Sequence, residues 1–290
     1  MNSRKVSKWI SAPLIVGAFG LLAWLERRRP LRRAVEDKLR REGRNLAVAA
    51  VGAATLQLAE RPLVEQTAML VERRRWGLLK LARLPTWLDT ALAVMLMDYT
   101  LYLWHVLTHR VPFLWRFHVV HHVDLDLDAS TALRFHFAEL ALSVPWRTAQ
   151  ILIIGVSPRA LSAWQRFLFL SIIFHHSNVR LPVGAERTLN RLVVTPRMHG
   201  IHHSMAREET NSNWSSGLTV WDWLHKTLRL NVPQSEITIG VPAYRQPVEV
   251  ELPKILIMPF AEEREAWRLP VDEQQPARKS LPAARGRMQA

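Results

Sequence analysis

Long apolar stretches alternate with charged connectors along most of the chain. The apolar stretches cover Trp9–Leu25, Leu46–Leu58 with an extension past Pro62 towards Leu70, Leu88–Leu107, Ala138–Val156 and Ala160–Phe174. An α-helix needs about 20 predominantly apolar residues to cross a bilayer. The pattern therefore predicts an all-α fold, a polytopic membrane bundle with about four to five spans or hairpin segments.

Polar residues inside these stretches refine the prediction. Asp98 lies within the third stretch and should face protein, because a carboxylate in lipid is costly. Pro145 and Arg147 weaken the fourth stretch, and a turn sequence at Gly155–Pro158 joins it to the fifth, which carries Arg166. We expect the fourth and fifth stretches to form a helical hairpin that need not cross the membrane completely.

Charge suggests an orientation for the bundle. The chain has 290 residues and a net charge of +14, and Arg27–Arg44 holds nine basic residues against four acidic ones, counting Glu26. Because basic connectors remain on the cytoplasmic side, we interpret this run as a solvated, lipid-facing cytoplasmic loop. The first stretch has no small-residue cleavage site after it, so we interpret it as an uncleaved span. The apolar stretches favour a membrane, not nucleic acid, as the reason for the charge.

Eleven of the twelve histidines lie between residues 105 and 203, most of them at helical spacing. They are His105 and His109, then His118, His121 and His122, then His136, the pair His175 and His176, and finally His199, His202 and His203. Positions i, i+3 and i+4 share one face of a helix. The remaining histidine, His225, is interpreted as a surface or packing residue.

Such clusters are typical of a metal site. Neutral imidazole binds iron, zinc, copper and nickel, while the absence of cysteine excludes thiolate zinc sites and iron–sulfur clusters. Structural zinc needs four ligands, so nine or more candidates fit two metal ions with four or five nitrogens each. In each HxxHH motif, the first histidine and the one three or four residues later can bind one metal, while the adjacent histidine reaches the other. If Arg27–Arg44 is cytoplasmic, every cluster falls on that same side, which predicts a cytosolic histidine-rich helical cap.

The histidine segments resemble those of the fatty acid hydroxylase/sterol desaturase superfamily of integral membrane di-iron oxygenases, in particular its bacterial sterol desaturase family proteins. The resemblance extends over about Leu88 to Leu228. It rests on HVLTHRVPFLWRFHVVHHVDLDLDASTALRFHFAE, FHHSNVRLP and VVTPRMHGIHHSMAREETNSNWSSGLTVWDWL.

The resemblance implies a set of iron ligands: His105, His109, His118, His121, His122, His176, His199, His202 and His203. His136 matches a family position whose role stays open, and His175 is a further candidate that can instead cap its helix. The resemblance also implies two iron ions, O2 as co-substrate, a fatty acyl or sterol-like lipid substrate, and hydroxylation or desaturation. No flavin or haem motif is visible, so electrons should come from an external cytochrome or a ferredoxin/reductase pair.

These expectations divide the chain into three parts. Residues 1–87 should form N-terminal spans with the basic loop, residues 88–230 the catalytic domain, and residues 231–290 a C-terminal segment that ends in a mobile tail after Glu262. The expected location is a bacterial inner membrane, with the site on its cytoplasmic face. Two alternatives stay open: a zinc-dependent membrane hydrolase with Glu139 as the nearest candidate base, and an inactive metal-binding membrane protein.

Overall fold

A computed structural model describes residues 3–262 and 264–268. In this part of the chain every regular element is a helix, and β-structure is limited to isolated bridges. The all-α prediction is confirmed. In chain order the helices are α1 (Ser3–Arg28), α2 (Lys38–Thr55), α3 (Arg61–Arg74), α4 (Thr86–Arg110), α5 (Pro112–His122), α6 (Phe137–Ile154), α7 (Pro158–His176), α8 (Val183–Leu189), α9 (Pro196–His202), α10 (Arg207–Thr210), α11 (Val220–Leu224) and α12 (Leu252–Ile257).

Two of the helices, α4 and α6, are long and apolar enough to cross a membrane. α2 and α3 are joined without a break by a π-helical turn at Leu56–Glu60. This turn ends two residues before Pro62, whose ring nitrogen has no proton to donate to the preceding turn. The helices thus follow the predicted apolar stretches, while the count of four to five spans stays a prediction.

A short turn joins α6 to α7 where the sequence predicts one, and both helices pack against α3 and α4. The hairpin itself stays a prediction. Gly155 ends α6 with a φ of +86°, a left-handed conformation that glycine adopts readily. Ser157 then caps α7, since its hydroxyl accepts the N–H of Ala160 at 3.2 Å. The turn packs against the connector before α4 so closely that a Cβ on Gly77 would lie 2.3 Å from the Gly155 backbone. The α3–α4 and α6–α7 connections therefore lie together at one end of the bundle.

Apolar residues of α3, α4, α6 and α7 form one buried core in the bundle. Asp98 on α4 is 1% exposed and its Oδ2 accepts hydrogen bonds from the Leu218 N–H (2.9 Å) and the Trp221 indole (2.7 Å). It faces protein, as predicted. Arg147 on α6 is also buried, with its guanidinium carbon 4.2 Å from the centroid of the Trp164 ring.

A second core lies between α2, α5 and the C-terminal segment. Tyr244, Val250 and Ile255 are buried in it, and Trp267 stacks on Trp115 with ring centroids 5.9 Å apart. Residues 264–268 thus pack on α5, and the mobile tail expected after Glu262 stays a prediction. The remainder of that tail, residues 269–290, lies outside the described residues.

The structure also corrects the interpretation of Arg27–Arg44 as a solvated loop. Lys38 begins α2, and Arg41 and Arg44 on this helix are buried, 2% and 6% exposed. The physical reason is a set of carboxylates 80 to 90 residues later in the chain, which neutralise the guanidinium groups inside the protein. Arg41 contacts Asp124 and Asp128, and Arg44 lies 3.6 Å from Asp124, in addition to its pair with the nearby Glu36.

Candidate metal centre

Four separate elements bring the histidine clusters together. His105 and His109 lie on the last turns of α4, and the HxxHH motif at His118 lies on α5. His176 is the last residue of α7. The second HxxHH motif, His199–His203, comprises the end of α9 and the residue after it. Proline starts three of these four helices, which fixes φ at their first turn and needs no N–H partner there.

One group contains His105, His109, His122 and His202. One ring nitrogen of each residue lies within 4.8 Å of a nitrogen from each of the others. Their rings approach edge to face, with centroids 4.6 Å apart for His105 and His202 and 4.8 Å apart for His109 and His122. This arrangement gives four imidazoles that can hold a metal ion.

A second group contains His121, His176, His199 and His203, and all four residues are buried. Its Nε2 atoms converge: His176 Nε2 lies 3.0 Å from that of His121 and 3.0 Å from that of His199, which is 3.1 Å from that of His203. The two groups touch, because the rings of His122 and His203 stack with centroids 4.3 Å apart.

Two further histidines border these groups. His118 lies in neither of them, but its ring centroid is 5.0 Å from those of His109 and His122 and 5.4 Å from that of His121. His175 lies beside the second group, 4.1 Å from His199 between ring centroids. Both have a buried ring nitrogen with no hydrogen-bond partner among the described residues.

The other two histidines lie elsewhere. His136 caps the start of α6: its Nδ1 accepts the N–H of Ala138 at 3.1 Å, and its Nε2 lies 3.1 Å from the carbonyl oxygen of Leu256. With both nitrogens engaged by backbone, it stands outside both groups. His225 is exposed and stacks on Tyr99 and Tyr102, as predicted for a surface or packing residue.

Backbone carbonyls orient several of the inward-facing rings. The Nδ1 atoms of His105, His176 and His202 lie 2.7 to 2.8 Å from the carbonyl oxygens of Trp214, Ile172 and Ser212 respectively. For His118 the acceptor is the Oε1 atom of Glu139, at 2.7 Å. A proton held on Nδ1 leaves Nε2 with a free lone pair, which is how metal-binding histidines are prepared by their outer hydrogen bonds.

The imidazoles that lie outside the membrane helices stay neutral because they are buried. It lowers the pKa of His121, His122, His199 and His203 well below the usual 6.5, and it lowers the pKa of His202 to about 3. Neighbouring histidines add to this effect, because a second positive charge nearby would be repelled. Neutral imidazole is the form that binds metal.

The donor atoms fit metal ions well. Buried Nε2 atoms of His109, His118, His122 and His202 have no hydrogen-bond partner among the described residues, although such atoms are rarely left unpaired. Imidazole nitrogen lies about 2.0–2.1 Å from a bound metal such as zinc, so two nitrogens at right angles are about 3 Å apart. The Nε2 separations of 3.0 and 3.1 Å in the second group match that value.

The polar residues behind this centre were not predicted from the sequence. Asp222 accepts the N–H groups of Trp214 and Ser215 at 2.9 Å each, and so fixes the loop whose carbonyl orients His105. On the other side, Arg41 and Asn45 of α2 bind Asp124, two residues after His122. The sequence signal for these contacts was the acidic run DLDLD from Asp124 to Asp128, whose charge is opposite to that of the basic segment Arg27–Arg44.

In the part of the chain that the structure describes, the helical fold, two membrane-length apolar helices and two contacting groups of largely buried histidines define a class of helical membrane proteins with a double histidine centre. Residues 90–227 match the family model described as fatty acid hydroxylase. This match supports the resemblance of the chain to the fatty acid hydroxylase/sterol desaturase superfamily.

Curated relatives cover the same region. An ornithine lipid hydroxylase of Rhizobium tropici is 29% identical over 158 residues, which are 54% of this chain and 46% of that protein. The human alkylglycerol monooxygenase is 28% identical over 157 residues, covering 52% and 34% respectively. Mouse cholesterol 25-hydroxylase is 27% identical over 152 residues, covering 51% and 50%. The chain thus spans between about a third and half of the length of these relatives, and no solved structure matches it.

Proposed function

We propose that the protein is a membrane-bound, iron-dependent lipid hydroxylase. The observation that carries the proposal is the contact between two groups of four histidines, at the end of the apolar helix α4. Each group would hold one iron ion, with His118 as a ninth ligand beside them. Relatives named as hydroxylases and monooxygenases of lipids support this choice of chemistry.

Bound iron supplies the activation of dioxygen and the one-electron chemistry that acid–base side chains lack. The chain's own residues prepare the site. The carbonyls of Trp214 and Ser212, together with Glu139, hold protons on the outer ring nitrogens, and the inner nitrogens stay free to bind. Burial of the histidines excludes water, which limits side reactions around the centre.

The substrate is a lipid whose chain reaches the histidines from the bilayer. His105 and His109 are on the last turns of α4, directly after its apolar part, and α4 packs against α6 and α7. We infer that the apolar faces of α4, α6 and α7 guide an acyl or sterol-like chain towards the metals. We also propose that it is an integral protein of a bacterial inner membrane, with the centre on the same cytoplasmic side as the basic segment.

In hydroxylation one oxygen atom of O2 enters a C–H bond of the lipid and the other leaves as water. The step consumes two electrons and two protons, so a cytochrome or a ferredoxin with its reductase must deliver the electrons. We assign catalysis to residues 88–230, membrane anchoring and support to residues 1–87, and a covering role to residues 231–290. Hydroxylation is preferred over desaturation because it requires only one hydrogen to be placed correctly.

The zinc hydrolase alternative depended on Glu139 as a general base. Glu139 is 5% exposed and its Oε1 is 2.7 Å from His118 Nδ1. This contact suits a residue that positions a histidine better than one that activates water. The geometry therefore favours the oxygenase.

Lipid extracts from cells with and without the gene, grown under 18-oxygen gas, test the proposal. We expect one lipid species that gains a labelled hydroxyl group only in cells that contain the protein. The His202→Ala variant should abolish this product, while His225→Ala should retain it. An unsaturated lipid without label would indicate desaturation, and a cleaved lipid made without O2 would indicate a hydrolase.

A further inference from the structure

The dipeptide His121–His122 supplies a ring to each histidine group. It ends α5, where the last four backbone carbonyls of a helix have no partner within the helix. The placement of both rings therefore depends on contacts from outside α5. The structure provides such contacts immediately before and immediately after the dipeptide.

Before the dipeptide, the carbonyl of Val120 is held by Arg134. This arginine is fully buried and donates from Nε to the Val120 oxygen at 2.9 Å. Its Nη1 donates to Oδ1 of Asn45 on α2, also at 2.9 Å. The helix end is thus tied through one side chain to α2.

After the dipeptide, the carboxylate of Asp124 is held by Arg41, also on α2. The contact is bidentate, with Nε to Oδ1 and Nη2 to Oδ2 each at 3.0 Å. The remaining Nη1 donates to Asp128 at 2.6 Å, and Nη2 also donates to the Thr131 hydroxyl at 2.7 Å. Bidentate arginine–carboxylate pairs fix orientation as well as distance.

Asn45 joins these two contacts into one network. It lies four residues after Arg41, on the same face of α2. Its Nδ2 donates to Oδ2 of Asp124 at 2.9 Å, while its Oδ1 accepts from Arg134. Both α2 residues lie outside the region 90–227 that matches the family.

We propose that Arg41 is a positioning residue for the metal centre. With Asn45 it fixes the His121–His122 dipeptide from both sides, so that one ring faces each histidine group. The centre is therefore incomplete without α2, and the N-terminal basic segment is a structural support of the site. This inference rests on the proposed function in one respect, that the histidine groups hold metal ions.

Lysine cannot replace Arg41 in this role. A single ammonium group makes no planar, bidentate contact with a carboxylate, although its charge is the same. The Arg41→Lys variant therefore keeps the charge and removes the orientation. Contacts behind metal ligands typically contribute about 10–100-fold to metal affinity.

The test uses the full-length protein in detergent. Iron per chain is counted after anaerobic loading with ferrous iron, and the rate of metal loss to a chelator is measured. The same measurements with zinc in place of iron test whether the positioning effect holds for a different metal. Arg40→Lys is the matched control, since Arg40 is adjacent, exposed and paired only with Glu251 in the described structure. Far-UV circular dichroism and thermal unfolding of the metal-free variants report on the fold.

For Arg41→Lys we expect helicity like that of the original protein and metal affinity lower by about 10–100-fold, with both metal ions affected. Arg40→Lys should match the original protein. Unchanged metal retention in Arg41→Lys would overturn the inference. If Arg41→Lys does not fold, Asp124→Asn decides, because it keeps the size of the side chain and replaces one of the two oxygens that Arg41 holds by an amide group; normal retention there would also overturn it. Failure of the original protein to bind iron while it binds zinc would refute the proposed function and not the positioning role.

Discussion

His121 and His122 are neighbours in the chain, yet their imidazole rings belong to different histidine groups, at 5.4 Å between centroids and almost perpendicular to each other. Successive side chains on a helix point about 100° apart. An adjacent pair at the end of α5 can therefore serve two centres, and the two centres must lie close together. The second motif does the same, since His202 belongs to one group and His203 to the other.

This division predicts that the two metal sites can be separated by mutation. His199→Ala removes a ligand of the second group only, so we expect the metal content to fall from about two ions per chain towards one. His225→Ala should keep both ions, because this residue is exposed, stacks on Tyr99 and belongs to neither histidine group. Elemental analysis of the purified variants gives the answer. Complete loss of metal in His199→Ala would show that the groups do not bind independently.

Glu139 should tune the centre through His118. The Glu139→Gln variant keeps an oxygen that can accept the His118 proton but removes the negative charge, which lowers the basicity of the ring. We expect metal affinity to fall by about 10–100-fold. Competition with a chelator measures it, and Glu65→Gln on the exposed face of α3 is the control. Equal affinity in the two variants would contradict the role assigned to Glu139.

Much of the site was predictable because helical spacing is a local property of the sequence. His118, His121 and His122 share a face wherever that helix lies, and the apolar length of α4 needs no tertiary information. The burial of Arg41 was not predictable in this way. It depends on Asp124 and Asp128, and a basic run read alone is typical of a solvated loop.

The outer contacts of the histidines were equally hidden. The carbonyls of Trp214 and Ser212 accept hydrogen bonds from the rings of His105 and His202. Because every residue type has a backbone carbonyl, the sequence does not mark these positions. Their positions come from the loop that Asp222 holds, which only the folded chain reveals. The packing of Trp267 on Trp115 was missed for a similar reason, because the charged residues around it are typical of a mobile tail.

The close contact between Gly77 and Gly155 should be sensitive to any side chain. Gly77 has a φ of +96°, and an added Cβ would lie 2.3 Å from the Gly155 backbone. Together with a ψ of 165°, this φ lies in a region that is essentially restricted to glycine and costs other residues about 1–3 kcal/mol, and the clash adds to it. Gly77→Ala should therefore lower the thermal unfolding temperature in detergent. Gly184→Ala, with nothing within 4 Å of its Cβ, should not; equal unfolding temperatures for the two variants would show that the connectors separate easily.

The predicted orientation can be tested directly, since the chain contains no cysteine. Single cysteines at Arg33, Arg74 and Glu208 would all be exposed. We expect a membrane-impermeant thiol reagent to label Arg74→Cys from outside intact cells. Arg33→Cys and Glu208→Cys should react only after the cytoplasmic side is opened. Labelling of Glu208→Cys in intact cells would place the histidine centre on the opposite face.

The metal-free protein should lose stability in weak acid. Burial lowers the pKa of His121, His122, His199 and His203 well below 6.5 and that of His202 to about 3. The unfolded chain therefore binds more protons than the folded one between pH 6.5 and about 3, and the free energy of unfolding falls as pH falls through that range. Well below pH 6.5 each such histidine contributes about 1.4 kcal/mol per pH unit, and this contribution fades as the pH rises above 6.5, because the unfolded chain then loses the proton as well. Unfolding of metal-free protein at pH 8, 7, 6 and 5 measures the effect, and His202→Gln should reduce the slope by one histidine's share. A free energy of unfolding that stays constant from pH 8 to pH 5 would show that these histidines are accessible to protons in the folded state.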